Sequence, residues 1–478
     1  MKKIDQVLKK VLKNIIPLDS DRKKIITVAK NLKKKLLIEF QKADIASIIE
    51  LEGSVAKDTW LKENPDIDIF IRLPITIPRK DFDQSIIKIA KKVTKNSKHI
   101  EKYAEHPYLE TFVDNIRVNI VPCYQVEIGM WKSATDRTPY HTKYMNKHLN
   151  PELRNEIRLL KKFFKGINVY GAEIKVGGFS GYLCELLVLH YKSFKKTLEA
   201  FSKYKKTIII DQNNYFINKK IDLTTLFSDP IIVIDPVDKN RNVASALRLE
   251  KLYDLISSAR AFIKEPSADF FFPLPITIFS LATLKSKFKN RGSSILFILT
   301  DNIELVPDVL WGQLYKTQRS LRKLLKNNDF KILRDLVWTN EKTLTAFIIE
   351  VETCTLPRIK QHIGPPLEFK EECTLFLSKY SKNTSVYSGP YIQNNRWVIL
   401  LDRIYNNAKI LIDEKLITNN QNLGIPKPIL RALKQKCNIL VNYEIANTYQ
   451  NNVDFAALIS SFLEGTPSWL KSYYDKNN

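Results

Sequence analysis

Asp66 and Asp68 are the residues whose type and spacing most directly suggest chemistry. They stand one residue apart at the start of an apolar run, residues 67–73, that reads as a strand. Both carboxylates therefore leave the same face, about 7 Å apart along the backbone. Hard oxygen ligands at that spacing suit Mg²⁺. Two such ions activate a 3′-hydroxyl and stabilise departing pyrophosphate in an in-line displacement, leaving the protein to position and neutralise. The same spacing also marks many solvated strand edges, so the context decides. Twelve to fifteen residues upstream, Gly53-Ser54 ends an apolar run at residues 45–51. A glycine there lets the backbone approach a phosphate, the serine adds a hydroxyl and N–H groups, and Lys57 adds charge.

These residues need a sheet and a helical cover. Asp19, Ser20 and Asp21 offer caps for a helix with Ile25, Val28, Leu32 and Leu36 on one face. Residues 108–113 and 116–121 flank Asp114-Asn115 and predict a β-hairpin whose second strand presents Arg117, Asn119 and Val121 together. Asn150-Pro151 starts a helix with Leu153, Ile157, Leu160 and Phe164 on one face, while Arg154, Arg158, Lys161, Lys162 and Lys165 decorate the rest. A further apolar helix runs from near Ser180, and His190 within it reads as a core histidine. Prolines at 266, 273 and 275 mark a boundary. Beyond it, residues 294–299, 310–325, 330–338 and 344–351 read as strand, helix, strand, strand, the order of a ferredoxin or RNA-recognition fold. The segment after Gly364-Pro365-Pro366 has no clear pattern, and there is no internal repeat.

At 478 residues the chain should form two to four domains, and 44% hydrophobic with 27% charged residues is ordinary for a folded protein. The excess of 76 Lys and Arg over 51 Asp and Glu, a net charge of +25, points to a polyanionic partner. A Lys-rich compositional bias is the alternative. Five scattered cysteines without CxxC spacing argue against a disulfide framework or a structural zinc, and read as reduced thiols. Residues 1–13 lack the apolar core of a signal peptide, and no segment has membrane-spanning length, so a soluble cytoplasmic protein with no membrane partner is expected.

Gly53-Ser54 followed at this interval by Asp-x-Asp resembles the polymerase-β nucleotidyltransferase superfamily. More narrowly, the chain resembles the archaeal, class I CCA-adding enzymes, which are tRNA nucleotidyltransferases. The motifs are GSVAKDTW (53–60), DIDIF (66–70), YAEHPY (103–108), VPCY (121–124), DRTPYH (136–141), YGAE (170–173), GFSGYLCELL (178–187) and DPVDKNRNVA (235–244). They cover residues 43–250 closely and the remainder more loosely, through IGPP (363–366) and NRW (395–397).

The resemblance implies an α+β chain of three parts. These are a polymerase-β-type mixed-sheet catalytic head (1–149), a helical central domain (150–270) and a C-terminal RRM or ferredoxin-like body with tail (271–478). It places Gly53, Ser54 and Lys57 at a triphosphate, Asp66 and Asp68 at Mg²⁺, and His141, Thr142, Lys161 and Tyr170 at further phosphate contacts. Arg241 resembles the arginine that tells CTP and ATP from GTP and UTP. Without the resemblance, Lys161 would read as a solvated lysine, Tyr170 as a loop aromatic and Arg241 as an ordinary RNA or acid contact. The expected partners are CTP, ATP and tRNA, held by its acceptor stem and T arm, and a homodimer is plausible on the same ground.

One departure concerns the metals. The family's third carboxylate stands just before the VPCY run, and here that position is Asn119. An amide offers one neutral oxygen and takes no proton. Asp114 lies roughly 16 Å away along the strand on the opposite face. Lys57 replaces a usual arginine, Asp66 a usual glutamate and Thr142 a second histidine, and Gly177 stands where a basic residue is common. The expected activity is template-independent addition of C, C and A to tRNA. The alternatives are a catalytically silent tRNA-binding paralogue and an enzyme of the poly(A) or oligoadenylate type.

Overall fold

A computed structural model describes residues 2–63, 65–81, 85–103, 107–216, 222–417 and 423–470. Its contacts form two compact units, Met1–Pro275 with Thr466–Asn478, and Ile276–Gly465. The boundary expected between residues 149 and 150 falls inside the first unit.

The first unit contains a five-stranded mixed sheet of β1 (Ile48–Glu52), β2 (Asp66–Leu73), β3 (His99–Tyr103), β4 (Pro107–Val113) and β5 (Ile116–Tyr124). The order is β1-β2-β5-β4-β3, with β2 and β5 parallel and the other pairs antiparallel. Alternation decides which residues face inward: Ile67, Ile69, Ile71 and Leu73 are at most 1% exposed. They pack with Val118, Ile120 and the helix Asp19–Lys42, whose buried stripe is Ile25, Val28, Leu32, Leu36 and Phe40. The opposite face of β2 carries Asp66 and Asp68. Asp114 and Asn115, with φ of 51° and 62°, form the two-residue turn between β4 and β5. Of the expected YAEHPY motif, residues 104–106 lie outside the described residues.

The helix Pro151–Gly166 begins where Asn150 accepts a hydrogen bond from the Leu153 amide at 2.8 Å. With Gly181–Tyr191, Phe194–Ser202 and Leu249–Lys264 it encloses a phenylalanine-rich core that includes Phe163, Phe179, Phe194, Phe262 and Phe271. Two expectations fail here. His190 is exposed rather than in the core. Arg158, Lys161 and Lys162 are buried instead of solvated, because each meets a fixed acceptor from another segment. A small sheet of β6 (Ile208–Ile210), β7 (Ile231–Asp235) and β8 (Asp238–Asn242) presents Asp235 and Arg241 around a tight turn.

In the second unit β9 (Ser294–Asp301), β10 (Ile332–Thr339) and β11 (Leu344–Val351) occupy the expected positions, with the helix Pro307–Asn327 between the first two. The segment without a pattern is an insertion. It forms a second sheet from β12 (Ile359–Pro366), β13 (Val386–Gln393) and β14 (Arg396–Asp402), with the helix Lys370–Tyr380. The helix Lys427–Gln435 and β15 (Asn438–Val441) then return to the first sheet, whose antiparallel order β10-β11-β9-β15 is that of a β-α-β-β-α-β ferredoxin-like fold. All five cysteines are free. Among the described residues no helix is long and apolar enough to cross a membrane.

Candidate active site

Strand register sets the first part of the site. Glu52 lies opposite Asp68, Asp68 beside Asn119, and Asn119 opposite Glu110, giving one polar row across β1, β2, β5 and β4. Two residues along, Asp66 lies beside Arg117. Gly53 has φ +70°, and a Cβ there would stand 2.0 Å from Oδ2 of Asp68. Glycine is thus required to leave space for the Asp68 carboxylate as well as for the turn.

Both carboxylates already have donors. Asn119 Nδ2 donates to Asp68 Oδ1 at 2.9 Å. Burial still pushes the Asp68 carboxyl up to about 6. Arg117 grips Asp66 bidentately, Nε donating to Oδ1 at 2.7 Å and Nη2 to Oδ2, and this pair raises the arginine's pKa. The Arg117 Nη1 stands 3.8 Å from Oε2 of the buried Glu110. Burial also raises the Glu52 carboxyl to about 7, with Thr142 the main opposing influence. Thr142 therefore belongs to the neighbourhood of Glu52.

A second group joins the loop after the Gly53 turn to two helices. Glu185, 1% exposed, accepts from Lys57 Nζ at 2.5 Å, Thr59 Oγ1 at 2.6 Å and Lys161 Nζ at 2.9 Å. Burial alone would raise the Glu185 carboxyl, but Lys161 and Lys57 hold it down at about 2. Desolvation lowers the Lys161 pKa against the attraction of Glu185. Tyr170 is bridged to Phe179, its hydroxyl packs over Gly181, and burial raises its pKa well above the usual phenol value. Ser54, Asp66, Arg117, Lys161, Lys165 and Tyr170 line one cavity of about 530 Å³. Lys57 does not line it.

A third group surrounds the fully buried Asp235. His141 Nε2 lies 2.9 Å from its Oδ2, Arg241 Nη1 donates to Oδ2 at 2.8 Å, and the Tyr182 hydroxyl donates to Oδ1 at 3.2 Å. His141 also stacks on Tyr182 with ring centroids 4.0 Å apart. Burial lowers the His141 pKa, against the pull of Asp235. Burial opposes the Asp235 charge, yet His141 and Arg241 hold its carboxyl below the usual range. Arg241 faces a separate cavity of about 790 Å³ with Trp131, Arg137, Tyr215, Asp238 and Asn240.

The expected residues thus fall into linked sets. Ser54, Asp66, Lys161 and Tyr170 share a cavity, Gly53, Asp68 and Asn119 adjoin Asp66, and His141 meets Arg241 through Asp235. Sequence reasoning missed Glu185, Asp235 and the Arg117 clamp. The available signals were the lone acid Glu185 inside GFSGYLCELL and the aspartate that opens DPVDKNRNVA.

Mg²⁺ keeps several waters and takes one or two carboxylates plus substrate phosphates. Asp66 at the cavity wall and the desolvated Asp68 fit one such ion. They do not supply a second, because position 119 turns an amide donor toward Asp68. Among the described residues no three His, Cys, Asp or Glu groups converge on a metal position.

Comparison with known proteins covers the same segments. A nucleotidyltransferase domain matches residues 29–141, a tRNA nucleotidyltransferase second domain residues 155–272, and a CCA-adding enzyme C-terminal domain residues 291–442. The CCA-adding enzyme of Methanosarcina barkeri is 36% identical over 415 residues, 85% of this chain and 88% of its own. That of Saccharolobus shibatae is 32% identical over 465 residues, 96% and 99% of the two chains. Similarity that runs through the catalytic sheet, the helical segment and the ferredoxin-like sheet makes this chain a member of the CCA-adding enzyme family of nucleotidyltransferases.

Proposed function

We propose that the chain builds the 3′-terminal CCA of tRNA, adding C, C and A from CTP and ATP without a nucleic-acid template. The observation that carries this reading is the gathering of Ser54, Asp66, Lys161 and Tyr170 around one cavity beside Asp68. In this reading the Ser54 hydroxyl and Lys161 hold the triphosphate, with Glu185 favouring the charged form of the lysine. Asp66 and Asp68 hold Mg²⁺, which when bound neutralises the phosphates. Arg241, steadied by Asp235, selects the base.

The net charge of +25 supports a grip on tRNA through backbone phosphates. The second unit would hold the acceptor stem and T arm by phosphate, 2′-hydroxyl and shape contacts, since duplex RNA exposes little sequence in its deep groove. The protein would work in the cytoplasm, as a homodimer.

The test is incubation of purified protein with tRNA transcripts lacking CCA and with labelled CTP and ATP. Addition limited to three nucleotides supports the reading. A longer ladder supports a poly(A)-type enzyme, and tRNA retention without extension supports a silent binding protein.

A further inference from the structure

Asn119 and Arg117 stand two residues apart on the same face of β5, and each donates to one of the two carboxylates of β2. Together they change what the site can hold. Asp66 and Asp68 offer two negative charges, and the guanidinium cancels one of them through a bidentate bond. A second divalent ion would have to sit beside that guanidinium and accept the Asn119 amide in place of a carboxylate. Affinity for such ions follows ligand charge, so the arrangement disfavours it. Arg117 also has the reach to act itself. Its side chain is 44% exposed and lines the cavity that Ser54, Lys161 and Tyr170 share.

Resting on the proposed transferase reading, we infer that Arg117 takes the charge-stabilising place of the ion beside the attacking hydroxyl, so that this chain transfers nucleotides with one divalent ion and one arginine. The RNA 3′-oxygen forms a bond to the α-phosphorus, and the bond from that phosphorus to its bridging oxygen breaks. Pyrophosphate leaves with the electron pair, and the hydroxyl proton passes to water. Arg117 contributes fixed positive charge where negative charge develops and takes no proton, as an arginine does in other phosphoryl transfers. Glu110, 3.8 Å from Nη1, offers the guanidinium a second anchor once Asp66 turns to the ion.

The test counts ions as well as products. Mn²⁺ is titrated by electron paramagnetic resonance into full-length protein saturated with a non-hydrolysable CTP analogue, and extension of tRNA lacking CCA is timed alongside. The natural chain should bind one Mn²⁺, and the double variant Arg117→Leu, Asn119→Asp should bind two. Arg117→Leu alone should slow extension about 100-fold, the scale for losing one preorganised charge-stabilising donor. Asn119→Asp in that background should restore at least about tenfold, and Arg117→Lys should fall between. Two Mn²⁺ in an active natural chain overturn the inference and leave the transferase reading intact. Extension by Arg117→Leu at the natural rate does the same. One Mn²⁺ with no extension, regained by Asn119→Asp, overturns both, making Arg117 a clamp on an inactive site.

Discussion

Replacing Glu185 by glutamine should destabilise the first unit by about 3 kcal/mol. Glutamine keeps the shape but leaves the Lys57 and Lys161 ammonium groups, 7% and 3% exposed, without their shared counter-charge. Breaking a buried pair by removing one partner costs about 3–5 kcal/mol. Linkage gives a similar figure. The Glu185 carboxyl falls from 4.5 to about 2, which corresponds to roughly 3.5 kcal/mol. Lys161, whose pKa burial lowers, takes back part of this, which favours the lower end. The melting temperature should fall by about 6 to 12 °C. The sign of the pH dependence follows from a depressed carboxylate: its contribution is complete above the unfolded value of 4.5 and is lost as pH falls toward about 2. Thermal melts of natural and Glu185→Gln protein should therefore differ most near neutrality, draw together through about pH 3 and converge only below about pH 2. Adding Lys161→Met should recover part of the loss. A melting change under about 2 °C at neutral pH, or a gap that is no smaller at about pH 2 than at neutrality, would refute the argument.

Gly53→Ala should cut extension about 100-fold, because its Cβ would strike Asp68 at 2.0 Å and a small displacement of a metal ligand has effects of that order. Stability should fall only modestly, by the about 1–2 kcal/mol that positive φ imposes on alanine. Asp235→Asn should weaken discrimination of CTP and ATP against GTP and UTP about tenfold, measured as a kcat/KM ratio, since one hydrogen bond to a charged group is worth about 1.5–3 kcal/mol. In the second unit, Glu350 accepts from Arg291, Ser293 and Arg334, which hold its carboxyl below the usual range against the effect of burial. Glu350→Gln should raise hydrogen exchange in β9, β10 and β11 as about 3 kcal/mol of protection is lost. The effect should fade as pH falls through the carboxylate range, where the natural glutamate also loses its charge.

The parts of the site legible in the sequence were those governed by local rules. Period-two alternation put Asp66 and Asp68 on one face and Ile67, Ile69 and Ile71 on the other, and Asp114-Asn115 marked its hairpin. The strand-helix-strand-strand order of the second unit was equally local. Long-range pairing was not. Arg117 stood visibly beside Asn119, but its grip on Asp66 depends on the parallel pairing of β2 with β5, which neither strand announces. Glu185 sat inside an apolar helix that read as pure core. Arg158, Lys161 and Lys162 looked like a solvated face because their partners come from residues 58–63 and 185. The ferredoxin-like sheet closes only after an insertion that separates β11 from β15, so its fourth strand had no nearby signal.

The most direct measurement is extension of tRNA transcripts ending before the CCA by the natural protein, with each nucleotide triphosphate offered singly and together, in Mg²⁺ and in Mn²⁺. Two additions with CTP, a third only when ATP is also present, and none with GTP or UTP is the predicted result. No extension in either metal by a protein that still binds the transcript would contradict it.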